Sequence, residues 1–248
     1  MKNNLDNLYV IMVEPKNAGN IGSAVRAMKN MGVSNLRLVN PVDYREDDQQ
    51  RKLGYRSQEI IENSEEFATL KEAIKDISLV FIATSKKGKW KKDFLIPPDA
   101  AKIVVERLNV EKVAVVFGRE ESGVTIEEAL LANYYINIPS AVSYPSLNLS
   151  QAVMVTVYDI YKEFIGNTKT PVLPPMAEKD NFERLNNNIW NLMKSLEFIE
   201  EEKGLFFQSI KRALNRTHWT NADIAVFDRV CKQVRWFSDA KCNIKMEK

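Results

Sequence analysis

The chain has 248 residues, of which 45% are hydrophobic and 27% are charged, and its formal net charge is +2. These values are typical of a soluble globular protein that buries a core, either one domain with an appendage or two small domains. The sequence has no run of about eighteen apolar residues, and its N-terminal segment lacks the apolar stretch of a signal peptide. Both features argue against a membrane-spanning or secreted protein and predict a cytoplasmic one.

In chain order, short apolar runs rich in β-branched residues alternate with helical patterns. The predicted strands are residues 9–14, 36–40, 80–84, 113–118 and 134–139. The predicted helices are residues 22–31, 64–75, 98–108, 126–131 and 147–164. Because the strand segments are almost continuously apolar, we expect strands covered on both faces, and therefore an α/β fold with a mostly parallel sheet flanked by helices.

The pattern changes after the last of these helices. Residues 166–180 contain three prolines and are predicted to form a linker between a domain at 1–165 and a helical extension at 181–248. Thr125 with Glu128, and Thr220 with Asp223, have the spacing of residues that cap a helix N-terminus.

The sequence gives little support for a metal site or for a Ser-His-Asp catalytic triad. Cys231 and Cys242 have no cluster of ligand-type residues beside them, so neither structural zinc nor, in a reducing compartment, a disulfide is expected. A single histidine, His218, is a poor basis for a Ser-His-Asp arrangement. We expect no metal.

Three glycine-, asparagine- or serine-rich segments follow predicted strands. They are "EPKNAGNIGSAVRAM" at 14–28, "VFGREESGVT" at 116–125 and "IPSAVSYPSLNLSQAV" at 138–153. Each has a structural explanation by itself, as a glycine turn, a tight chain crossing or a helix cap. The first has neither G-x-G-x-x-G spacing nor the G-K-[ST] of a P-loop, which argues against a nucleotide-binding fingerprint. Three such loops at one edge of a sheet would form a site there.

In this order and at these separations, the three segments resemble the three motifs of the SPOUT superfamily, and more narrowly its TrmH-like 2'-O-ribose methyltransferases. The wording "VEPKNAGNIGSAVRAMKNMGVSNLRLVNP" is most similar to the TrmJ type, which methylates the first nucleotide of the tRNA anticodon loop. The resemblance covers nearly the whole chain. It implies an α/β domain with a C-terminal deep trefoil knot, S-adenosylmethionine as cofactor, tRNA as substrate and a homodimer.

The resemblance also assigns roles to individual residues. The residues that it assigns to catalysis are Asn20, Arg26, Glu120, Ser146 and Asn148. Those that it assigns to the cofactor are Thr84, Ser85, Lys86, Gly118, Ile138, Pro145, Ser146 and Leu147. Arg26 matches an arginine often regarded as the base, but a guanidinium keeps its proton up to a pH of about 12, so a phosphate clamp or electrostatic role is physically easier. Asn20 would support Arg26 and the loop, and Glu120 would orient the site or Arg26.

Two basic segments suggest where RNA binds. "SKKGKWKKDF" at 85–94 offers lysines around a tryptophan that could stack on an unpaired base, although a solvated lysine loop explains it equally well. A basic stretch at 203–235 favours phosphate contacts over a merely soluble helical face. The RNA-binding candidates are Lys86, Lys87, Lys89, Trp90, Lys91, Lys211, Arg212 and Arg216.

The function that the resemblance implies is methylation at the 2'-oxygen of tRNA position 32, on cytidine alone or on both pyrimidines. Three alternatives stay open. They are a ribosomal RNA 2'-O-methyltransferase with the same motifs, a non-catalytic protein that binds S-adenosylmethionine or RNA, and, more remotely, a nicotinamide-dependent Rossmann enzyme.

Overall fold

A computed structural model describes residues 4–85, 94–141, 147–166, 174–198 and 204–246, with side chains up to residue 238. The chain divides into two compact units, Met1–Pro174 and Pro175–Lys248. Unit 1 contains the sheet, and unit 2 is helical in its described part.

The sheet of unit 1 has seven strands among the described residues, and every pair of neighbouring strands is parallel. The strands are β1 (Leu8–Val13), β2 (Asn35–Val39), β3 (Glu65–Phe67), β4 (Leu79–Ala83), β5 (Phe94–Leu95), β6 (Val113–Phe117) and β7 (Tyr134–Ile136). Their order is β3-β2-β1-β6-β4-β7-β5. The α/β fold class with a parallel sheet is therefore confirmed.

The centre of the sheet is buried on both faces. All four residues from Val10 to Val13 are at most 1% exposed, although neighbouring side chains of a strand point to opposite faces. The β1 register pairs Leu8 with Val113 on one side and Tyr9 with Asn35 on the other. This explains why these strands have continuous rather than alternating apolar sequences.

One predicted element of unit 1 is wrong, and one short strand was missed. Residues 64–75 do not form one helix, because Glu65–Phe67 pairs with β2 as an edge strand and only Leu70–Ala73 is helical. The short strand Phe94–Leu95 was not predicted, since two residues carry no periodicity. Pairing with a neighbouring strand determines the structure of both segments, and a local pattern does not contain that information.

The helices of unit 1 lie between strands in the chain, except for the last helix, which follows β7. They are α1 (Ala18–Asn30), α2 (Asp48–Leu53), α3 (Gln58–Glu62), α4 (Leu70–Ala73), α5 (Pro97–Arg107), α6 (Ile126–Ala129) and α7 (Leu149–Gly166), and a 3-10 turn covers Asn4–Asn7. The α1 helix begins four residues before its predicted start, because the side chain of Asn17 caps it by accepting from the N–H of Asn20. The capping box of Thr125 and Glu128 is present at α6.

Unit 2 contains α8 (Lys179–Ser195), α9 (Leu205–Arg216) and α10 (Asn221–Met246). Its core forms around Trp219, whose indole N–H donates to the carbonyl of Leu214 and whose ring contacts Phe182 and Phe227. Thr220 and Asp223 cap α10 reciprocally, as their spacing predicts. The domain boundaries proposed from the sequence, and the RNA-binding role of this unit, stay predictions.

The described residues contain neither a membrane-spanning helix nor a cluster of metal ligands. No helix there is long and apolar enough to cross a bilayer. No group of three or more histidine, cysteine, aspartate or glutamate side chains in that part of the chain is arranged to hold a metal ion.

Candidate functional site

An open cavity of about 440 Å³ lies where the segments after β1 and β6 meet the beginning of α7. Its described lining residues are Lys16, Asn17, Asn20, Glu120, Glu121, Leu147 and Asn148. Each of the three motif segments therefore contributes residues, and the predicted convergence of the three loops is confirmed. The cavity is mainly polar, which suits a ligand with hydroxyl or charged groups.

A chain of directed hydrogen bonds joins the three segments. Asn148 donates from Nδ2 to Oδ1 of Asn20 at 2.9 Å, and Asn20 donates from Nδ2 to Oε1 of Glu120 at 3.2 Å. The other carboxylate oxygen of Glu120 accepts from the backbone N–H of Lys16 at 3.3 Å. Asn20, Glu120 and Asn148, which the resemblance assigns to catalysis, therefore lie together, and their catalytic role stays a prediction.

The start of α7 fixes the orientation of both amides. The backbone N–H and the hydroxyl of Ser150 donate to Oδ1 of Asn148 at 2.9 and 2.7 Å. A backbone N–H can only donate, so Oδ1 of Asn148 must face Ser150 and its Nδ2 must face Asn20. Asn20 then necessarily presents Nδ2 to the carboxylate. The cap of α7 thereby determines which group faces Glu120, and the capping and functional explanations of the third motif are compatible.

Gly118 has a structural reason to be glycine. A Cβ placed on it would lie 2.4 Å from the carbonyl carbon of Gly123, because the loop returns across its own start. Arg119 and Gly123 close this loop with two backbone hydrogen bonds of 3.1 and 2.9 Å, and Gly123 has φ +73°. The crossing holds Glu120 and Glu121 at the turn, beside the cavity.

Arg119 fastens this loop to the end of β1. Its guanidinium binds both carboxylate oxygens of Glu128 at 2.9 and 3.0 Å and also pairs with Glu14. Hydrogen bonding to Glu14 and Glu128 raises the pKa of Arg119, and the bond to Arg119 lowers the pKa of Glu14. The first and second motifs are consequently held together by charge as well as by the sheet.

The cofactor candidates lie at the carboxyl ends of three adjacent strands. Thr84 and Ser85 follow β4, Gly118 follows β6, and Ile138 comes two residues after β7. Asn137 joins two of these ends, since its Nδ2 donates to the carbonyl of Thr84 at 3.2 Å. This edge is where open α/β sheets bind ligands.

Arg26 is exposed on α1 and does not line the cavity. It comes six residues after Asn20, which places it about 9 Å further along the helix and on a different side of it. The observed hydrogen bonds of Asn20 and Glu120 go to each other, to Asn148 and to the loop after β1. These residues therefore support the loop geometry, while the catalytic role of Arg26 stays a prediction.

Several candidates lie outside the described residues, namely Lys86, Lys87, Lys89, Trp90, Lys91, Pro145 and Ser146. The basic candidates of unit 2 are on α9, where Lys211 lies over the ring of Phe207, Arg212 is half-buried and Arg216 is exposed. Their RNA-binding role stays a prediction.

The sequence reasoning missed four residues of this region. They are Lys16, Asn17 and Glu121 in the cavity wall, and Asn137 between the strand ends. Asn17 could have been predicted as a helix cap, because asparagine is a favoured N-cap residue and Asn17 directly precedes α1. Lys16 and Glu121 are neighbours only through the fold, 105 residues apart in the chain.

Comparisons with known proteins agree on one family. The model of the SpoU rRNA methylase family matches residues 7–158. A Haemophilus influenzae protein named as an uncharacterized tRNA/rRNA methyltransferase is 34% identical over 87% of this chain and 87% of its own. The Salmonella typhimurium tRNA (cytidine/uridine-2'-O-)-methyltransferase TrmJ is 32% identical over 86% of this chain and 89% of its own.

Solved structures give the same result. The crystal structure of TrmJ from Z. mobilis superposes with a TM-score of 0.78 at 25% identity, covering 91% of this chain and 98% of that one. The Streptomyces viridochromogenes SpoU methyltransferase AviRb, in complex with AdoMet, has a TM-score of 0.53 at 20% identity, over 65% of this chain and 62% of its own, and shares the fold.

Proposed function

The chain belongs to the SpoU rRNA methylase family, and we propose that it transfers a methyl group from S-adenosylmethionine to a ribose 2'-hydroxyl of tRNA. The proposed target is the first nucleotide of the anticodon loop, position 32, as cytidine or as either pyrimidine. The relatives named TrmJ, which align over most of both chains, support tRNA as the substrate class.

One structural observation carries this proposal, namely the chain of hydrogen bonds that joins Asn20, Glu120 and Asn148 in one cavity. Asn20 and Glu120 are 100 positions apart in the chain, and Asn148 comes 28 positions after Glu120. A merely structural turn would not require all three polar side chains at the same cavity, whereas a ribose with its hydroxyl groups would use them.

The cofactor candidates fit S-adenosylmethionine. Thr84, Ser85, Gly118 and Ile138 lie at the carboxyl ends of neighbouring strands, where open α/β sheets bind ligands, and Leu147 adds an apolar side chain to the cavity wall. When bound, the cofactor supplies an activated methyl group. The protein has to hold a ribose hydroxyl in line with that methyl group, which is chiefly a matter of positioning.

Each polar residue then has a role in preparing the hydroxyl. Glu120 presents a carboxylate, held by Asn20 and by the Lys16 backbone, that orients the ribose. Asn148 contacts the ribose next to it and keeps Asn20 in the required orientation. Arg26 binds the neighbouring phosphate and stabilises the charge that develops on the oxygen, while the hydroxyl proton leaves to water. A role of Arg26 as the base is the alternative.

The assembly belongs to the same proposal. We infer that the C-terminal part of unit 1 is knotted around the cofactor site and that the chain acts as a cytoplasmic homodimer. The helices of unit 2, with Lys211, Arg212 and Arg216, would bind tRNA, and the lysines around Trp90 would contact RNA as well.

The deciding experiment is methyl transfer from labelled S-adenosylmethionine to bulk tRNA and, separately, to ribosomal RNA, with wild type, Arg26→Ala and Arg26→Lys side by side. The labelled nucleotide is then mapped. We expect label on position 32 of tRNA with wild type and none with Arg26→Ala. Loss of activity in Arg26→Lys supports the forked phosphate contact, because lysine keeps the charge without the fork.

Other outcomes favour the alternatives. Label on ribosomal RNA alone would keep the reaction but change the substrate, as the family description and the tRNA/rRNA name of one relative allow. Absence of transfer to either RNA, with thermal stabilisation by S-adenosylhomocysteine, would indicate a non-catalytic binding protein. Stabilisation by NAD instead would contradict the cofactor assignment.

A further inference from the structure

Lys16 combines a fixed backbone with a movable side chain at the cavity wall. Its backbone N–H donates to Glu120 at 3.3 Å, and the preceding Pro15 accepts from the N–H of Val42 at 3.1 Å. Its ammonium group pairs with Glu121 at 3.2 Å, and the two side chains are 63% and 80% exposed. An ion pair this exposed contributes little to stability, so it opens at little cost.

The charges of the cavity pose a problem for an RNA ligand. Among its described lining residues, one cation, Lys16, faces two carboxylates, Glu120 and Glu121. The RNA backbone carries one negative charge per phosphate, so the two carboxylates oppose its approach. Glu120 is held by two hydrogen bonds and has a proposed positioning role. Within the described residues, the ion-pair partner of Glu121 is Lys16.

We propose that Lys16 is an RNA-contacting residue that exchanges Glu121 for a substrate phosphate, and that Glu121 weakens RNA binding by competing for the same ammonium group. The proposal rests on the proposed function only in taking RNA as the substrate. The backbone of Lys16 is anchored to Glu120, the carboxylate proposed to orient the ribose, so a phosphate next to the reacting nucleotide would come close to its side chain.

Such an exchange explains why a carboxylate occupies the wall of an RNA site. Without ligand, Glu121 neutralises Lys16 and keeps the ammonium group at the cavity. With RNA bound, a phosphate replaces Glu121 as the partner of Lys16. The ammonium group then contributes one electrostatic contact that is sensitive to salt.

The test measures the Kd of tRNA for the full-length protein by fluorescence anisotropy at several salt concentrations. The variants are Lys16→Ala, Glu121→Gln and the double variant. Lys75→Ala is the matched control, because Lys75 is exposed and precedes the amino end of β4, at the opposite edge of the sheet. Thermal unfolding of each variant checks that the fold is kept.

We expect Lys16→Ala to raise Kd about fivefold and to reduce the slope of log Kd against log salt by about 1, the values for one lost phosphate contact. Glu121→Gln should lower Kd about two- to threefold because it frees the ammonium group. The double variant should bind like Lys16→Ala, and Lys75→Ala like wild type.

Two results would overturn the proposal. One is an unchanged Kd and salt slope in Lys16→Ala. The other is an equal decrease in Kd when Glu121→Gln is introduced into wild type and into Lys16→Ala. That result would mean that Glu121 repels RNA without acting through Lys16. The methyl-transfer assay separates this inference from the proposed function. Wild type that binds tRNA without methylating it contradicts the function alone, and wild type that binds no tRNA contradicts both.

Discussion

At the scale of single residues, the orientation of two amides determines what the cavity offers a ligand. Ser150 fixes Asn148, Asn148 fixes Asn20, and Asn20 presents a donor to Glu120. The sequence predicted that Asn20, Glu120 and Asn148 belong to one site. It could not predict this direction of donation, because that depends on a backbone N–H and on contacts across the fold.

Asn20→Asp tests this orientation with almost no change in shape. The new carboxylate faces that of Glu120 across the 3.2 Å at which Asn20 now donates, so attraction becomes repulsion. We expect methyl transfer to fall by at least about tenfold, and further than in Asn20→Ala, since a lost donor costs less than an opposing charge. Comparing kcat of the two variants checks this, and equal activities would argue against the orienting role.

Gly118→Ala tests the crossing of the loop. A Cβ at 2.4 Å from the Gly123 backbone forces the two segments apart, and we expect a loss of about 3 kcal/mol in the free energy of unfolding. Gly166→Ala is the control, because a Cβ there meets nothing within 4 Å and the change should stay within about 0.5 kcal/mol. Denaturant unfolding gives both values. A neutral Gly118→Ala would mean that the loop opens easily.

At the scale of elements, the strands at the centre of the sheet were readable and those at its edges were not. The five predicted strands correspond to β1, β2, β4, β6 and β7, each within a few residues. The sequence of β3 suits the start of a helix, and it is a strand because it pairs with β2. The strand β5 has only two residues and is identified by its pairing with β7. Strand order was also beyond the sequence, since it depends on contacts more than a hundred residues apart.

The ion pairs of Arg119 with Glu14 and Glu128 join the segments that follow β1 and β6, and their loss should lower the stability of unit 1. Arg119→Met leaves Glu14 and Glu128 without their shared cation, and we expect a loss of about 2 kcal/mol, reduced because Glu14 is partly exposed. Arg51→Met is the control, since its pair with Glu46 lies at the surface and should contribute little. Equal losses in the two variants, measured by denaturant unfolding, would contradict a special role of the Arg119 ion pairs.

At the scale of the whole molecule, unit 2 contains a buried lysine that should make its stability depend on pH. In unit 2, Lys179 is buried, its ammonium group lies 3.4 Å from Oδ1 of Asn215, and the ring of Phe182 lies 5.4 Å away. Burial lowers the pKa of Lys179 to about 7, although the charge of Glu183 acts in the opposite direction. The folded unit therefore holds this proton less tightly than the unfolded chain does.

The lowered pKa of Lys179 makes the free energy of unfolding of unit 2 depend on pH. Between pH 7 and the ordinary lysine pKa of 10.5, the folded unit is deprotonated at Lys179 while the unfolded chain is protonated. Unfolding takes up a proton, so stability should rise with pH, by at most about 1.4 kcal/mol per pH unit. Lys179→Met should remove this rise and stabilise the unit below pH 7.

Tryptophan fluorescence during urea unfolding is the suitable measurement. Three of the four tryptophans, Trp190, Trp219 and Trp236, belong to unit 2, and a Trp90→Phe background removes the fourth. Lys112→Met serves as the comparison in unit 1, with its unfolding followed by circular dichroism because no tryptophan remains there. The pairing of Lys112 with Asp76 raises its pKa, so its loss should destabilise instead. Parallel pH curves for wild type and Lys179→Met would show that Lys179 keeps its proton in the folded unit.

The strand order has a consequence for how the chain is made. One neighbour of β1 is β6, which pairs Leu8 with Val113. Both edges of β1 can therefore be paired only after Val113 has left the ribosome. At typical synthesis rates this delay lasts roughly 5 to 20 seconds. During that time β1, whose residues 10–13 are at most 1% exposed in the folded protein, has an unpaired edge. Nascent chains that end before β6 are therefore expected to need a chaperone to stay unaggregated.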